Sequence, residues 1–254
     1  MATIHIVGAG IAGLSAAVSL AHVGHRILLY ESSTHAGGRC RSYHDTTLDC
    51  MIDNGNHLLL SGNTAVMDYL RIIGAENSLV GPREPAFHFF DVTTSERWCV
   101  KPNLGRFPWW IFSNKHRVPG SNAIDYLKAI KLAKATPDTL VTDVFDPHDS
   151  LFERYWEPLA VSVLNTPANE GAAQLLWPVL LETFGRGGKY SRPMIAKKGL
   201  SDSFVDPALT YLENAGAKIR FGARLRGILK SQDGFTLSVL NFSDGIVELG
   251  NNDS

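Results

Sequence analysis

The chain has 254 residues, of which 44% are hydrophobic and 19% charged, and 24 Lys and Arg against 25 Asp and Glu leave a net charge of -1. This predicts a globular, soluble protein of one large or two small domains, and it excludes a long disordered chain and a basic nucleic-acid-binding protein. Cys40, Cys50 and Cys99 form no CxxC pair, so neither a disulfide framework nor a metal site is predicted, and a cytoplasmic location is expected.

The N-terminus predicts a strand, a glycine-rich turn, a helix and a second strand. Ile4 to Val7 is a short apolar run typical of a buried parallel strand, and Gly24 ends the helical pattern that follows. The second strand, 26–30, carries Glu31 at its tip. A signal peptide is the alternative for this apolar segment, but no basic residues precede it and its glycines are regularly spaced.

The turn between strand and helix fits the GxGxxG pattern of dinucleotide-binding proteins. Gly8 permits the tight turn, Gly10 lets a pyrophosphate approach the backbone, and Gly13 allows close packing of the helix on the strand. Free N–H groups at the start of the helix attract phosphates, and Glu31 accepts hydrogen bonds from ribose hydroxyls. The cofactor-binding positions predicted in this turn are Gly8, Gly10, Ile11, Ala12 and Gly13. A glycine-rich turn of another α/β fold is the alternative.

The residues after Glu31 favour FAD over NAD as the cofactor. A short loop leads to Gly37-Gly38-Arg39, and this order resembles the extended dinucleotide motif of the FAD-dependent amine oxidase and phytoene desaturase superfamily. In that superfamily the arginine contacts the FAD phosphates. The resemblance therefore implies that Gly38 and Arg39 bind FAD, while a solvated surface arginine is the alternative for Arg39.

A polar turn with the sequence Asp53-Asn54-Gly55-Asn56-His57 is flanked by apolar residues. The backbone groups of a buried turn need hydrogen-bond partners, and a flavin edge is one candidate. The turn resembles that of the hydroxysqualene dehydroxylases, and residues 155–167 resemble their helical insert. The resemblance implies that Gly55, Asn56 and His57 bind FAD. His57 either props the turn by hydrogen bonding, which is favoured, or shuttles a proton.

The rest of the chain shows alternating helical and strand patterns. The predicted elements are a helix within 60–82, a hairpin over 87–100, a helix over 122–135, helices opened by Thr166-Pro167 and by Asp206-Pro207, a strand over 217–221 continued by 225–228, and a hairpin over 235–249. In the superfamily, a residue equivalent to Leu225 gives its backbone to the adenine. The resemblance therefore implies that Leu225 also contacts FAD.

Residues 102–119 mix aromatic and basic side chains in one stretch. Phe107-Pro108-Trp109-Trp110-Ile111-Phe112 lies between Arg106 and the basic run 115–117. Such mixing is typical of segments that anchor a protein at a membrane interface, and peripheral contact with the inner face of the plasma membrane is one interpretation. The alternative, which is favoured, is that these residues line a core or a substrate tunnel.

These elements predict an α/β fold: a Rossmann-like FAD-binding domain of the GR2 type with an inserted α+β substrate domain. The expected boundaries are 1–85 for the first part of the FAD domain, 86–190 for the substrate domain and 191–254 for the returning segment. The resemblance covers the chain from residue 3 to its end and implies that the family's C-terminal portion is lacking. Exposed apolar surface and poor stability are then expected.

The resemblance implies an FAD-dependent oxidoreductase of bacterial squalene and hopanoid biosynthesis, which reduces hydroxysqualene, an isoprenoid lipid, to squalene with loss of water. Another flavin oxidoreductase of the superfamily, such as a carotenoid desaturase or an amine oxidase, is the alternative, and a truncated non-catalytic fragment is a third. No Ser–His–Asp arrangement, HExxH motif or carboxylate pair stands out, so the catalytic residues stay unknown.

Overall fold

The computed structural model describes residues 1–55, 58–231, 236–250 and 252–254. The strands β1 to β13 are Thr3–Val7, Arg26–Tyr30, Ser42–Asp45, Cys50–Asp53, Leu59–Leu60, Leu79–Val80, Phe87–Phe90, Arg97–Val100, Pro193–Ala196, Lys218–Arg220, Leu225–Lys230, Leu237–Phe242 and Gly245–Glu248. The helices α1 to α7 are Ile11–His22, Thr64–Ile72, Ala123–Leu127, Val141–Val144, Glu157–Leu164, Leu176–Glu182 and Asp206–Asn214. Two π-helical segments cover Phe152–Trp156 and Ser201–Val205. The 3-10 segments are Glu76–Ser78, Trp109–Phe112, Lys128–Lys134, Ala173–Leu175, Phe184–Arg186 and Gly188–Tyr190.

The chain divides into two compact units. The first unit consists of Met1–His57, Thr64–Val80 and Ile195–Ser254, and the second consists of Leu58–Asn63 and Gly81–Met194. The first unit therefore takes its residues from both ends of the chain. The functional boundaries given above, after residues 85 and 190, stay a prediction.

A parallel sheet in the order β1-β2-β10 forms the centre of the first unit. The predicted strands and the helix between them are confirmed, because β1 pairs in parallel with β2 along its whole length. On α1, the side chains of Leu14, Ala17 and Val18 are buried. The last residues of the chain lie along the other edge of β1, where the N–H of His5 donates to the carbonyl of Ser254 at 2.7 Å.

A second, antiparallel sheet in the order β11-β12-β13 belongs to the same unit. The predicted hairpin is confirmed by the pairing of β12 with β13. The prediction that 225–228 continues the strand 217–221 is wrong. Gly222, with a φ of +73°, separates the two strands, so that β10 pairs with β2 while β11 pairs with β12. The ring centroids of Tyr30 and Phe242 lie 4.4 Å apart in the small core beside this sheet.

Two helix predictions in the first unit are corrected. The helix predicted within 60–82 covers only Thr64–Ile72 and is followed by Gly74, whose φ is +71°. Asp206 was predicted to open a helix as its N-cap, but the chain is already helical from Ser201. Pro207 is the second residue of α7, which follows the π-helical segment directly.

The second unit is built around an aromatic core. Its buried residues include Trp110, Tyr126, Phe145, Tyr155 and Trp156, and the rings of Phe145 and Trp156 stack with centroids 4.5 Å apart. The predicted hairpin is confirmed by the antiparallel pairing of β7 with β8. Aromatic rings of this size bury enough apolar surface to dominate the energetics of a small unit.

Two helix predictions in the second unit also need correction. The helix predicted over 122–135 is α-helical only as far as Leu127 and continues as a 3-10 segment to Lys134. Thr166 opens no helix, because its hydroxyl donates back to the carbonyl of Leu164 and so helps to close α5. Asn165, at a φ of +52°, completes that helix end, and the next α-helix begins only at Leu176.

Within the described parts of the chain, none of the helices has both the length and the apolar character needed to span a membrane.

Candidate dinucleotide-binding site

The loop between β1 and α1 has the geometry of a phosphate-binding turn. Gly8 takes a φ of +103°, a left-handed conformation that side chains disfavour. A Cβ atom on Gly13 would overlap the carbonyl oxygen of Gly8, whereas a Cβ on Gly10 would meet nothing within 4 Å. The glycine at 13 is therefore required by the packing of the protein itself, and the space beside Gly10 is open to a ligand.

The start of α1 offers its N–H groups to an anion. Gly10 is the N-cap residue, no side chain caps the helix, and no acidic residue lies in its first turn. The side chains of Ile11 and Ala12 are exposed. Uncapped N–H groups and the positive end of the helix dipole attract phosphate, as the sequence motif predicted for Ile11 and Ala12.

Glu31 links the turn to the end of β2. Its carboxylate accepts hydrogen bonds from the N–H of Ala9 at 2.8 Å, the N–H of Ser33 at 2.8 Å and the hydroxyl of Ser32 at 3.1 Å. Burial by itself would raise the pKa of Glu31, but the hydrogen bonds from Ser33, Ala9 and Ser32 outweigh it and lower the pKa. An ionised carboxylate has about four acceptor sites. The carboxylate therefore holds the loop and still has capacity for a ribose hydroxyl.

The structure brings the Gly37-Gly38-Arg39 segment against this loop. The N–H of Gly37 donates to the carbonyl of Ala9 at 2.7 Å, and a Cβ on Gly38 would lie 3.3 Å from the Cα of Gly10. The side chain of Arg39 is exposed, and it forms no ion pair with any residue that the structure describes. The two glycine motifs thus meet, with an unpaired cation beside them.

The polar turn after β4 also reaches this region. The Nδ2 of Asn54 donates to the carbonyl of Arg39 at 3.1 Å, and the N–H of Asn54 donates to the carbonyl of Arg41 at 2.9 Å. Gly55 follows as a half-buried residue. Asn56 and His57, the other two predicted positions of this turn, lie outside the described residues, so their assignment to FAD stays a prediction.

A network of polar side chains that the sequence did not reveal holds this turn in place. Asp53 Oδ1 accepts hydrogen bonds from the Ser42 hydroxyl at 2.6 Å and from the N–H of Leu200 at 2.8 Å. The N–H of Ser42 in turn donates to the hydroxyl of Ser201 at 2.8 Å. A Cβ on Gly199 would meet the Ser42 hydroxyl at 2.6 Å. In the sequence, Gly199 and Ser201 are separated only by Leu200, a pattern that is too common to indicate such a contact.

Leu225 lies at the start of β11, close to the backbone of Glu31. The N–H of Ala223 donates to the carbonyl of Glu31 at 2.9 Å, and the N–H of Glu31 donates to the carbonyl of Arg220 at 2.8 Å. The side chain of Leu225 packs against the small core that contains Tyr30. Leu225 therefore follows two residues after the backbone contact with Glu31, and its contact with an adenine stays a prediction.

An apolar cavity of about 240 Å³ lies in the second unit. Its walls are mainly aromatic and aliphatic, formed by Pro108, Trp110, Ile111, Tyr126, Leu127, Ala129, Ile130, Tyr155, Trp156, Trp177, Leu180, Leu181 and Phe184, with Arg106 and Gly185 at the same site. Burial raises the pKa of Tyr155 well above its ordinary value, so its phenol stays neutral. Such a cavity favours an apolar ligand over a charged one.

In comparison with known proteins, one family matches nearly the whole chain. The family described as "Flavin containing amine oxidoreductase" matches residues 11–247. A hydroxysqualene dehydroxylase of Zymomonas mobilis is 47% identical over 253 residues, which are 100% of this chain and 61% of the relative. A hydroxysqualene dehydroxylase of Sinorhizobium fredii is 42% identical over 99% of this chain and 60% of its own length. The chain thus spans about 60% of the length of the curated relatives it matches.

Solved structures share the fold. A crystal structure of an oxidoreductase from Methanosarcina mazei superposes with a TM-score of 0.66 at 12% sequence identity, over 97% of this chain and 57% of that one. The α/β fold predicted from the sequence is confirmed by this likeness and by the parallel sheet of the first unit.

The contrast between Gly10 and Gly13 gives a paired test of the phosphate loop. Gly10→Ala is expected to leave the unfolding midpoint unchanged and to weaken FAD binding by about tenfold or more, because its methyl group fills the space for the ligand. Gly13→Ala is expected to destabilise the fold by about 1–3 kcal/mol, because its methyl group overlaps the Gly8 carbonyl. Urea unfolding and titration with FAD measure both effects. Equal FAD affinity in Gly10→Ala and the wild type would contradict the assignment.

The hydrogen bonds of Glu31 predict a pH dependence of stability. Because the pKa of Glu31 is lower in the folded protein than in the unfolded chain, its contribution to stability is complete above the ordinary value of 4.5. That contribution is lost as the pH falls through the lowered pKa. Glu31→Gln is therefore expected to lose less stability than the wild type on acidification, and to be less stable than the wild type near neutral pH.

The measurement is urea unfolding at several pH values, followed by far-ultraviolet circular dichroism, because all five tryptophans lie in the second unit. Glu213→Gln, which changes an exposed carboxylate of the first unit, is the matched control and should follow the wild type. Parallel pH profiles for all three proteins would show that Glu31 does not hold the loop.

Proposed function

The chain belongs to the family of flavin containing amine oxidoreductases, and from this membership we propose that it acts in the reduction of hydroxysqualene to squalene with loss of water. The observation that carries the proposal is the meeting of three separate cofactor motifs, around Gly10, Glu31 and Gly38, in one loop cluster of the first unit. The names of the relatives supply the substrate: hydroxysqualene dehydroxylases match the chain over 99–100% of its length.

FAD is the cofactor, and the loop cluster fits its parts. The backbone of Gly8 to Gly13 would hold the pyrophosphate at the start of α1, where no side chain fills the space beside Gly10. Glu31 would hold the ribose, and the unpaired guanidinium of Arg39 would balance the phosphate charge. A Cβ atom on Gly38 would lie 3.3 Å from the Gly10 Cα, so a glycine at position 38 lets the two loops approach closely.

The proposed reaction replaces a C–O bond by a C–H bond and releases water. When bound in its reduced form, FAD supplies the two electrons of this reduction as hydride. The departing hydroxyl takes up a proton and leaves as water, so the overall change consumes one hydride and one proton. The protein has to keep bulk water away from the reacting carbon, and apolar walls achieve this.

The cavity of the second unit supports an apolar substrate. With about 240 Å³, it lies just below the range of roughly 300–1,000 Å³ that is typical of ligand pockets, so we infer that it holds one part of an isoprenoid chain. Tyr155 keeps its proton at Oη, because burial raises its pKa, and therefore adds no charge to the apolar wall.

We also propose that the protein contacts a membrane surface from the cytoplasmic side. Its proposed substrate is a lipid that dissolves in the bilayer rather than in water. The side chains of Phe107, Trp109 and Phe112 are 55%, 65% and 55% exposed, which is unusual for aromatic residues of a protein that meets only water.

The purified protein is expected to bind FAD in a 1:1 ratio and, with reduced flavin under anaerobic conditions, to convert hydroxysqualene to squalene. Gas chromatography of the extracted lipids measures the product, and the absorbance of the released flavin measures the cofactor. The Gly10→Ala variant serves as the control with impaired cofactor binding. A protein that binds FAD but turns over a carotenoid precursor or an amine instead would refute the proposed substrate.

A substitution inside the cavity tests the place of the substrate. Ala129→Phe fills part of the cavity and is expected to raise the KM for hydroxysqualene by about tenfold or more, with FAD content unchanged. Ala133→Phe, an exposed position on the same 3-10 segment, is the matched control and should keep the wild-type KM. The same KM in all three proteins would place the substrate elsewhere.

A further inference from the structure

Three basic side chains of the second unit converge on one recess without acidic partners. Arg106, Arg186, Lys189 and Tyr190 line a recess of about 380 Å³. The guanidinium of Arg186 lies 4.4 Å from the centre of the Tyr190 ring, and the ammonium of Lys189 lies 4.9 Å from it. Among the residues that the structure describes, none of the three cations forms an ion pair with Asp or Glu. Their positive charge is therefore left for a ligand.

The convergence is fixed by backbone contacts that only glycine permits. The N–H of Gly188 donates to the carbonyl of Asn103 at 3.0 Å. A Cβ on Gly188 would meet that oxygen at 2.5 Å, and a Cβ on Gly187 would meet the Leu104 carbonyl at 2.7 Å. Because these glycines lie between Arg186 and Lys189, the contact brings both cations to the loop that carries Arg106.

The loop that carries Arg106 is itself held by one side chain. The Nδ2 of Asn103 donates to the carbonyls of Gly105 at 3.2 Å and Phe107 at 2.9 Å. Its Oδ1 accepts a hydrogen bond from the N–H of Trp110 at 3.2 Å. All three hydrogen bonds of this amide therefore fix the turn around Arg106, and the recess is a built feature of the fold.

Apolar side chains lie next to Arg106 in the sequence of its loop. Arg106 also lines the apolar cavity of about 240 Å³, so the charged recess and the cavity share one residue. Next to it, the rings of Phe107 and Trp109 lie 4.3 Å apart, and Phe112 lies 6.1 Å from Trp109. Exposed aromatic rings of this kind favour the boundary between lipid headgroups and acyl chains.

The charge of the surrounding sequence matches an anionic surface. Residues 101–134 contain seven Lys and Arg and a single acidic residue, Asp125, although the whole chain has a net charge of -1. The basic residues of this stretch are Lys101, Arg106, Lys115, Arg117, Lys128, Lys131 and Lys134. Lys128 is paired with Asp125 and Asp149, so the other six carry the excess. Such a local excess attracts anionic lipids within about 10 Å, the screening length in salt solution.

We propose that the recess of Arg106, Arg186 and Lys189 binds the phosphate headgroup of an anionic phospholipid and thereby docks the second unit on the membrane. The aromatic side chains Phe107, Trp109 and Phe112 then enter the interfacial layer beside that headgroup. The proposal rests on the proposed function only in taking the membrane as the source of the substrate, and it names the lipid class and the residues that recognise it.

Vesicle sedimentation with the purified protein tests this proposal. The wild type is expected to bind vesicles that contain phosphatidylglycerol and to bind pure phosphatidylcholine vesicles much more weakly. The double variant Arg186→Gln/Lys189→Gln is expected to lose about 30-fold in its partition coefficient, the effect of two basic residues at an anionic surface. Lys218→Gln/Lys230→Gln removes the same charge from the first unit and should stay within about twofold of the wild type.

A charge-conserving variant distinguishes the loss of the basic charges from a loss of the fold. Arg186→Lys/Lys189→Arg should retain binding to the phosphatidylglycerol vesicles, and tryptophan fluorescence checks that each variant keeps the core of the second unit. An equal loss in both glutamine pairs, or a wild type that binds inorganic diphosphate at the recess but no vesicle, would overturn the proposal. Because no substrate is used, a failed vesicle test leaves the dehydroxylation proposal standing, and a failed activity test leaves the docking proposal standing.

Discussion

The close approach of α1 to the β1 loop is the constraint on which the first unit depends. The helix can follow the strand at this distance only because Gly13 has no Cβ atom to collide with the Gly8 carbonyl. That approach sets the direction of α1, and so it decides where the uncapped N–H groups of the helix lie. The Gly37 backbone then pairs with this loop through Ala9. The proposed phosphate site is therefore formed by backbone N–H groups, at positions where side chains are absent.

Glu31 can combine its structural role with the proposed binding of a ribose, because a carboxylate has about four acceptor sites and the protein itself uses three of them. Its side chain holds Ala9 and Ser33, while its backbone pairs with Arg220 and Ala223. Glu31 thus links the glycine loop, the end of β2 and the end of β10. Hydrogen bonds to its carboxylate lower the pKa of Glu31, so this side chain stays ionised at neutral pH.

The second unit is stabilised mainly by the burial of apolar surface. Stacked and edge-to-face rings fill its core, and the cavity is a gap between the same rings. Where the rings reach the surface, at Phe107 and Trp109, unpaired cations stand beside them. Apolar surface next to a basic recess is complementary to an amphiphilic partner, because exposed aromatic rings are unfavourable in water and the cations attract an anionic group. The fold thereby places the glycine loops in one unit and the apolar cavity with the basic recess in the other.

The sequence by itself determined the β1-α1-β2 segment and its glycines, because these contacts join residues close in the chain and depend on local conformation. It also indicated that Glu31 and the Gly37-Gly38-Arg39 segment belong to one cofactor site. Tertiary structure alone decided that β10 and β11 enter different sheets and that Ser42 and Asp53 meet Leu200 and Ser201. The reason is that hydrogen-bond partners far apart in sequence are chosen by packing, which no local pattern of residues records.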